Sequence, residues 1–168
     1  MKKWIWTLSM SILAVSLAAC GTGDDTTEGT PDQSEELEGD DYVTEHDLTF
    51  TLDVKEDENS LQFTMTLENE SDEPKQVEFS SGQKFDITVK DEQGNTVYHF
   101  AEGKMFTQAI ISETIEPGQS LTLEDTWDAG KDLSEKHLDI EAVLMVYAIN
   151  NEEIDKGTFK VSKSVSGK

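Results

Sequence analysis

From Leu48 onward, apolar and polar side chains alternate with a period of two. Leu48, Phe50, Leu52 and Val54 are interleaved with Thr49, Thr51 and Asp53, and Leu61, Phe63, Met65 and Leu67 with Gln62, Thr64 and Thr66. A pleated strand sends successive side chains to opposite faces, so each run predicts a strand with one face in a core and the other in water. The polar stretch Lys55-Glu56-Asp57-Glu58-Asn59-Ser60 joins them. It predicts an antiparallel pair whose connection is slightly longer than the tightest hairpins.

The pattern recurs at Val77 and Phe79, at Phe85, Ile87 and Val89, and from Val97 to Phe100. Asp91-Glu92-Gln93-Gly94-Asn95 separates the last two as a turn in which Gly94 can take positive φ. Ile115 leads into Glu116-Pro117-Gly118-Gln119, where Pro and Gly at the central positions predict a type II turn. Leu121 and Leu123 alternate away from it towards Trp127, and Thr158 to Val161 predicts a last short strand. Leu138 to Ile149 is long enough for a helix, but Val143, Val146 and Tyr147 favour a strand. Short strands separated by turn residues, with no repeat of longer period, predict an all-β antiparallel sandwich over residues 48–168. Roughly 120 residues can bury a core of their own without disulfides.

The segment before Leu48 is of another kind. Between Gly21 and Asp47 lie 11 acidic residues and no lysine, with Leu37, Tyr42 and Val43 as the large apolar side chains. Such a composition cannot offset the entropy of ordering the chain, so residues 20–47 are expected to form a disordered acidic tether. A flexible coil of this length averages about 29 Å end to end, and charge repulsion extends it. The run reads as a spacer; an acidic ligand for a basic partner is the other use of such a composition.

Lys2 and Lys3 precede an uncharged run from Trp4 to Ala19 that ends Leu17-Ala18-Ala19-Cys20. Positive charge, a short apolar stretch and small residues before a cut site describe a secretory signal over residues 1–19. The stretch is short for a spanning helix, which needs about 20 residues. Cys20 is the sole cysteine, so no internal disulfide competes for it. Leu-Ala-Ala-Cys resembles the lipobox of bacterial lipoproteins. That resemblance implies a diacylglyceryl thioether on Cys20, cleavage after Ala19, and an extracytoplasmic protein anchored in the cell membrane. Two acyl chains hold a protein on a bilayer durably, whereas one does so only marginally.

Charge narrows the partners. The 13 basic residues, all lysines, stand against 36 acidic ones, for a net charge of −23. Clustered Lys or Arg is what phosphate contacts require, so nucleic acid is excluded as a partner. Adsorption to anionic lipid is disfavoured for the same reason, which leaves attachment to the lipid on Cys20. His46, His99 and His137 are scattered, and no zinc-protease, nucleophile-elbow, P-loop or paired-cysteine motif occurs. The acidic stretches at 53–59 and 91–95 lack the ligand order of an EF-hand loop. The chain is therefore read as a non-enzyme with no cofactor and no metal.

Four ordered runs in the domain carry a resemblance: Phe79-Ser80-Ser81-Gly82-Gln83-Lys84-Phe85, then Lys104-Met105-Phe106-Thr107-Gln108-Ala109, then Pro117-Gly118, then Trp127. Together they resemble the intracellular proteinase inhibitor, or BsuPI, family. The resemblance implies an immunoglobulin-like sandwich and inhibition of serine proteases of the subtilisin type. It transfers no reactive residues. Phe79, Phe85, Phe106 and Trp127 are expected in the core, as large aromatics usually are. Gln83, Lys84, Lys104, Met105, Phe106, Thr107 and Gln108 form the candidate protein-contact surface, with Met105-Phe106 suited to an enzyme that prefers large apolar groups and Lys84 or Lys104 to one that reads lysine. A serine protease is one candidate partner. Another envelope protein, bound by a non-inhibitory immunoglobulin-like assembly module, is the alternative.

Overall fold

A computed structural model describes residues 41–130, 133 and 136–166. The signal segment, Cys20 and the tether up to residue 40 lie outside the described residues. Among those described there is no helix, and hence none long and apolar enough to cross a membrane. The strands are β1 (Tyr42–Glu45), β2 (Leu48–Asp57), β3 (Ser60–Asn69), β4 (Lys75–Phe79), β5 (Phe85–Asp91), β6 (Thr96–His99), β7 (Ile111–Ile115), β8 (Ser120–Asp128), β9 (His137–Leu144), β10 (Val146–Ile149), β11 (Glu152–Glu153) and β12 (Lys160–Ser166). Their pairings are all antiparallel and make three four-stranded sheets, ordered β1-β2-β3-β8, β11-β10-β4-β7 and β12-β9-β5-β6.

The second and third sheets are two halves of one layer. β4 pairs with β10 in one and β5 with β9 in the other, with Phe79 opposite Val146 and Phe85 opposite Leu144. Only Met145 lies between β9 and β10, whereas Ser80-Ser81-Gly82-Gln83-Lys84 lies between β4 and β5. Five residues therefore oppose one, and the longer side must leave the layer as a bulge. The amide of Met145 donates to Lys84 O at 2.9 Å and holds the two halves together across the gap.

The alternating rows of both layers meet in one core. Leu48, Phe50, Leu52, Leu61, Phe63, Met65 and Leu67 of the first sheet join Val77, Phe79, Ile87, Val89, Leu138, Ile140, Ala142 and Leu144 of the other layer. The sandwich expected from the sequence is thus formed, and Leu138 to Ile149 is strand. It is two strands, however, divided at Met145 between the two half-layers.

Three expectations are corrected. Residues 42–47, assigned to the disordered tether, form β1 and a tight turn onto β2, with Glu45 opposite Leu48. His46 and Asp47 both have positive φ, at 55° and 59°, as a two-residue type I′ turn demands. Val43 packs against the core, and Lys75 Nζ meets Asp47 Oδ2 at 3.0 Å. The β2–β3 connection is also tighter than expected, because Asp57 pairs with Ser60 and only Glu58-Asn59 remain between. The last strand is longer than Thr158 to Val161 implies, running to Ser166 along β9.

One edge of the sandwich is closed by a polar link. β8 and β6 are edge strands of facing layers, and the Tyr98 hydroxyl donates to Asp125 Oδ2 at 2.5 Å. The Tyr98 ring also stacks on Trp127, with centroids 5.6 Å apart. Burial, then the hydrogen bond to the Asp125 carboxylate and its charge, push the Tyr98 hydroxyl well above its ordinary titration range. The folded state keeps a proton that the unfolded chain releases near pH 10, so stability falls as pH rises through that value. Replacing Tyr98 by Phe is expected to reduce that alkaline loss, measured as urea midpoints between pH 8 and 11. An unchanged slope would remove Tyr98 as its source.

Candidate functional site

The bulge at 80–84 and the long connection between β6 and β7 come together at the break in the layer. Gly82 N–H donates to Thr107 O at 2.9 Å. A Cβ built on Gly82 would lie 2.7 Å from Thr107 Oγ1, so the absence of a side chain allows this approach. The φ of Gly82 is not in the left-handed region, and the need for glycine here is steric. Two of the runs noted in the sequence, separated by about twenty residues, are thus bonded neighbours.

Residues 100–110 are organised around Phe100. Its amide donates to Ile87 O at 2.9 Å, continuing the β5–β6 ladder by one bond. Its ring lies 4.2 Å from Phe85 and 6.0 Å from Phe106, centroid to centroid. Lys104 Nζ sits 3.4 Å from the Phe100 ring centroid, a cation–π contact. The chain reaches this point through two tight turns, Glu102 N–H to His99 O and Lys104 N–H to Ala101 O, each 3.1 Å. One half-buried ring therefore fixes the residues on both sides of Met105.

Met105 itself is 99% exposed. Thr107 and Gln108 are also exposed, with Gln108 Nε2 turned back to Phe106 O at 3.5 Å. Gln83 is half-buried, and its amide donates to Ser81 Oγ at 3.2 Å. Lys84 turns away from the loop: Nζ meets Glu113 Oε1 of β7 at 2.5 Å and lies 5.9 Å from the Phe79 ring. The polar set is thus divided. Met105, Thr107 and Gln108 face outward, Lys104 is exposed but laid against the Phe100 ring, and Lys84 is engaged within the fold.

Of the aromatics expected in the core, Phe79 and Phe85 are buried, while Phe106 and Trp127 are only half-buried. Four residues gain importance that the sequence pattern does not single out: Gly82, Phe100, Ile110 and Met145. Ile110 is 65% exposed just before β7, and Met145 is 39% exposed beside the bulge. They are unusual because large apolar side chains have left the alternating pattern for solvent. A run of apolar residues with no polar alternation, Met105-Phe106 and Ala109-Ile110-Ile111, is the signal that could have marked the loop.

Among the described residues, no group of three or more His, Cys, Asp or Glu side chains is placed to hold a metal ion. What the loop can do is present a shaped, apolar protrusion with the flanking backbone held in place.

No curated protein sequence matches the chain. Among solved structures, it is similar to the crystal structure of the yjhA protein from Bacillus subtilis, with 13% identity over 76% of this chain and 96% of that one, and a TM-score of 0.37. The family described as BsuPI, intracellular proteinase inhibitor, matches residues 48–165, from the start of β2 almost to the end of β12, and the chain belongs to that family.

Proposed function

We propose that this protein inhibits serine proteases of the subtilisin type, and that it does so outside the cytoplasm, held to the membrane by lipid on Cys20. Membership of a proteinase inhibitor family supports the class of partner. The observation that carries the reading is the combination of a fully exposed Met105 with anchored neighbours on either side. A protease binds an extended segment by main-chain pairing and a side-chain pocket. A segment already held in shape loses less entropy on binding and is released less readily. Disulfides are the usual brace in small secreted inhibitors. Here the Phe100 ring and the Gly82–Thr107 hydrogen bond perform that role.

The family description says intracellular, whereas Lys2 and Lys3, the apolar run and Leu17-Ala18-Ala19-Cys20 direct this member outward. The acidic spacer then lets the domain stand clear of the headgroups, where secreted proteases can reach it.

The test is a titration of subtilisin with the full chain, purified in detergent. Activity should fall linearly to an equivalence point while the chain stays intact on a gel. Degradation like any other substrate, or unchanged activity across several serine proteases, would sink the reading. Membrane attachment is tested separately: the wild-type chain should take up radioactive palmitate and stay in the membrane fraction, and Cys20→Ser should abolish the labelling. A wild-type chain that takes up no label, or label that persists in Cys20→Ser, would refute the lipid anchor.

A further inference from the structure

We infer that Met105 is the side chain that enters the target's primary specificity pocket, and that this pocket is apolar. The inference rests on the inhibitor reading above and deepens it by choosing among the side chains that could fill such a pocket.

Lys84, Lys104, Met105 and Phe106 are the basic and large apolar side chains on the two bonded segments. Lys84 is held by Glu113 at 2.5 Å, so inserting it into a partner would break an ion pair inside the fold. Lys104 lies with its ammonium 3.4 Å from the Phe100 ring centroid, folded towards the base of its own loop. Phe106 stacks on the same ring and cannot leave without loosening the loop it supports. Met105 alone of the four has its whole side chain in water, at 99% exposure. It can be buried by a partner at no cost to the fold.

The backbone agrees with this choice. On one side of Met105, the Lys104 amide is tied to Ala101 O at 3.1 Å; on the other, Thr107 O accepts from Gly82 N–H at 2.9 Å. Residues 104–108 belong to no strand, which leaves the main chain at Met105 open to pairing with an enzyme's substrate-binding strand. Charge agrees too. A lysine-reading pocket carries a carboxylate at its base, and a chain of net charge −23 would approach it against repulsion. An apolar pocket imposes no such penalty. Methionine is unbranched and adapts to pockets of irregular shape. Ile110 and Met145, both exposed beside the same two segments, would supply apolar area at the rim of the contact.

The experiment compares the full chain with Met105→Asp, Met105→Leu and Met105→Lys against subtilisin, chymotrypsin and trypsin. Wild type should inhibit the enzymes with apolar pockets. Met105→Asp should raise the inhibition constant by at least about 100-fold, the scale of a hot-spot side chain, with Met105→Leu staying within about tenfold. Met105→Lys should lose subtilisin and chymotrypsin and gain trypsin. Because Met105 is fully exposed, the urea midpoints of its variants should match wild type, which separates lost recognition from lost folding. Wild-type potency in Met105→Asp, or undiminished inhibition of subtilisin and chymotrypsin by Met105→Lys, would overturn the inference while leaving the inhibitor reading intact. If wild type inhibits none of the enzymes, that reading falls and this inference falls with it.

Discussion

Replacing Asn69 by Ala is expected to destabilise the domain by about 3 kcal/mol, the largest effect of any single polar substitution in the fold. Asn69 ends the inward row Leu61, Phe63, Met65, Leu67 and is completely buried, the single buried polar residue among the described residues. Its Nδ2 donates to Ile115 O and to Glu73 O, each at 2.8 Å. Its Oδ1 accepts from Ser71 N–H at 3.0 Å and from Ser71 Oγ–H at 2.7 Å. Its backbone closes the Pro117-Gly118 turn, donating to Gln119 O at 3.0 Å and accepting from Gly118 N–H at 2.9 Å. That turn carries the chain from β7 in one layer to β8 in the other, so Asn69 pins the crossing between layers.

Alanine would take the side-chain partner from Ile115 O and from Ser71 N–H and open a small void, while the Ser71 hydroxyl keeps its bond to Glu73 O at 2.8 Å. At about 4 °C per kcal/mol for a domain of this size, the melting temperature should drop by about 12 °C. Asn69→Asp is a sharper variant. It keeps the acceptor but loses both donors, and it aims a carboxylate at two carbonyl oxygens. Burial and those carbonyls would raise the introduced carboxyl's pKa above its unfolded value of about 3.9. Its penalty should therefore be fullest near neutral pH and shrink as pH falls towards 4, because the folded state then takes up a proton the unfolded chain lacks. Calorimetry of both variants between pH 4 and 7 checks this. A melting temperature within about 2 °C of wild type for Asn69→Ala would show that Ser71 and water replace the network.

Asn69 also shows where sequence patterning is strong and where it stops. Alternation alone reveals the faces of β2 and β3, because each inward position is apolar from Leu48 to Leu52 and from Leu61 to Leu67. The same alternation carried one step further would place Asn69 in the core, but an asparagine after a strand reads as a turn residue. Its partners lie at Glu73 and Ile115, and nothing local announces the second. Asp125 is a parallel case: it occupies an inward position of β8 between Leu123 and Trp127, satisfied by Tyr98 of another strand. β1 is harder to read, since an edge strand needs only one backbone partner and only Val43 of its side chains packs against the core. Turn chemistry is the most legible feature, because φ is a local property. Gly94 and Gly118 both take positive φ, at 79° and 67°, and Gln119 N–H bonds Glu116 O at 2.9 Å as the Pro-Gly pair requires.

The break at Met145 could not be read at all. Leu138, Ile140, Ala142, Leu144, Val146 and Ala148 keep strict period-two burial straight through it. The change is in the partner strand, from β5 to β4, and a partner is a tertiary fact. The candidate surface shares that limit. Residue types mark Lys84 and Lys104 as equivalent, yet Glu113 captures one and the Phe100 ring the other. For Lys84 that capture is made by a residue 29 positions away, and for Lys104 by a ring whose place depends on its packing against Phe85.

Phe100→Ala should therefore disable the loop more completely than any change within the exposed face. The Phe100 ring touches Phe85 below it and Phe106 beside it, and it carries the Lys104 ammonium on its face. Removing a half-buried aromatic of this kind costs about 2 kcal/mol, less than the 3–5 of a fully buried one. The ladder bond from Phe100 N–H to Ile87 O is a backbone bond and survives, so β5 and β6 should remain paired and the domain folded. What is lost is the restraint on residues 104–106. A Met105 side chain on a mobile segment must be ordered at the moment of binding, and each freed residue adds about 1–2 kcal/mol of entropy to that cost. Inhibition should weaken by at least about 100-fold, mainly through faster dissociation, and the loosened loop should be cut by the protease it formerly resisted. Phe100→Leu, which keeps apolar volume but neither ring stacking nor the cation–π contact, should lie between the two. Stopped-flow dissociation rates, read beside urea midpoints, distinguish this from general unfolding. If Phe100→Ala dissociates at the wild-type rate, the loop is held in shape by the Gly82–Thr107 contact alone and the aromatic cluster is ordinary packing.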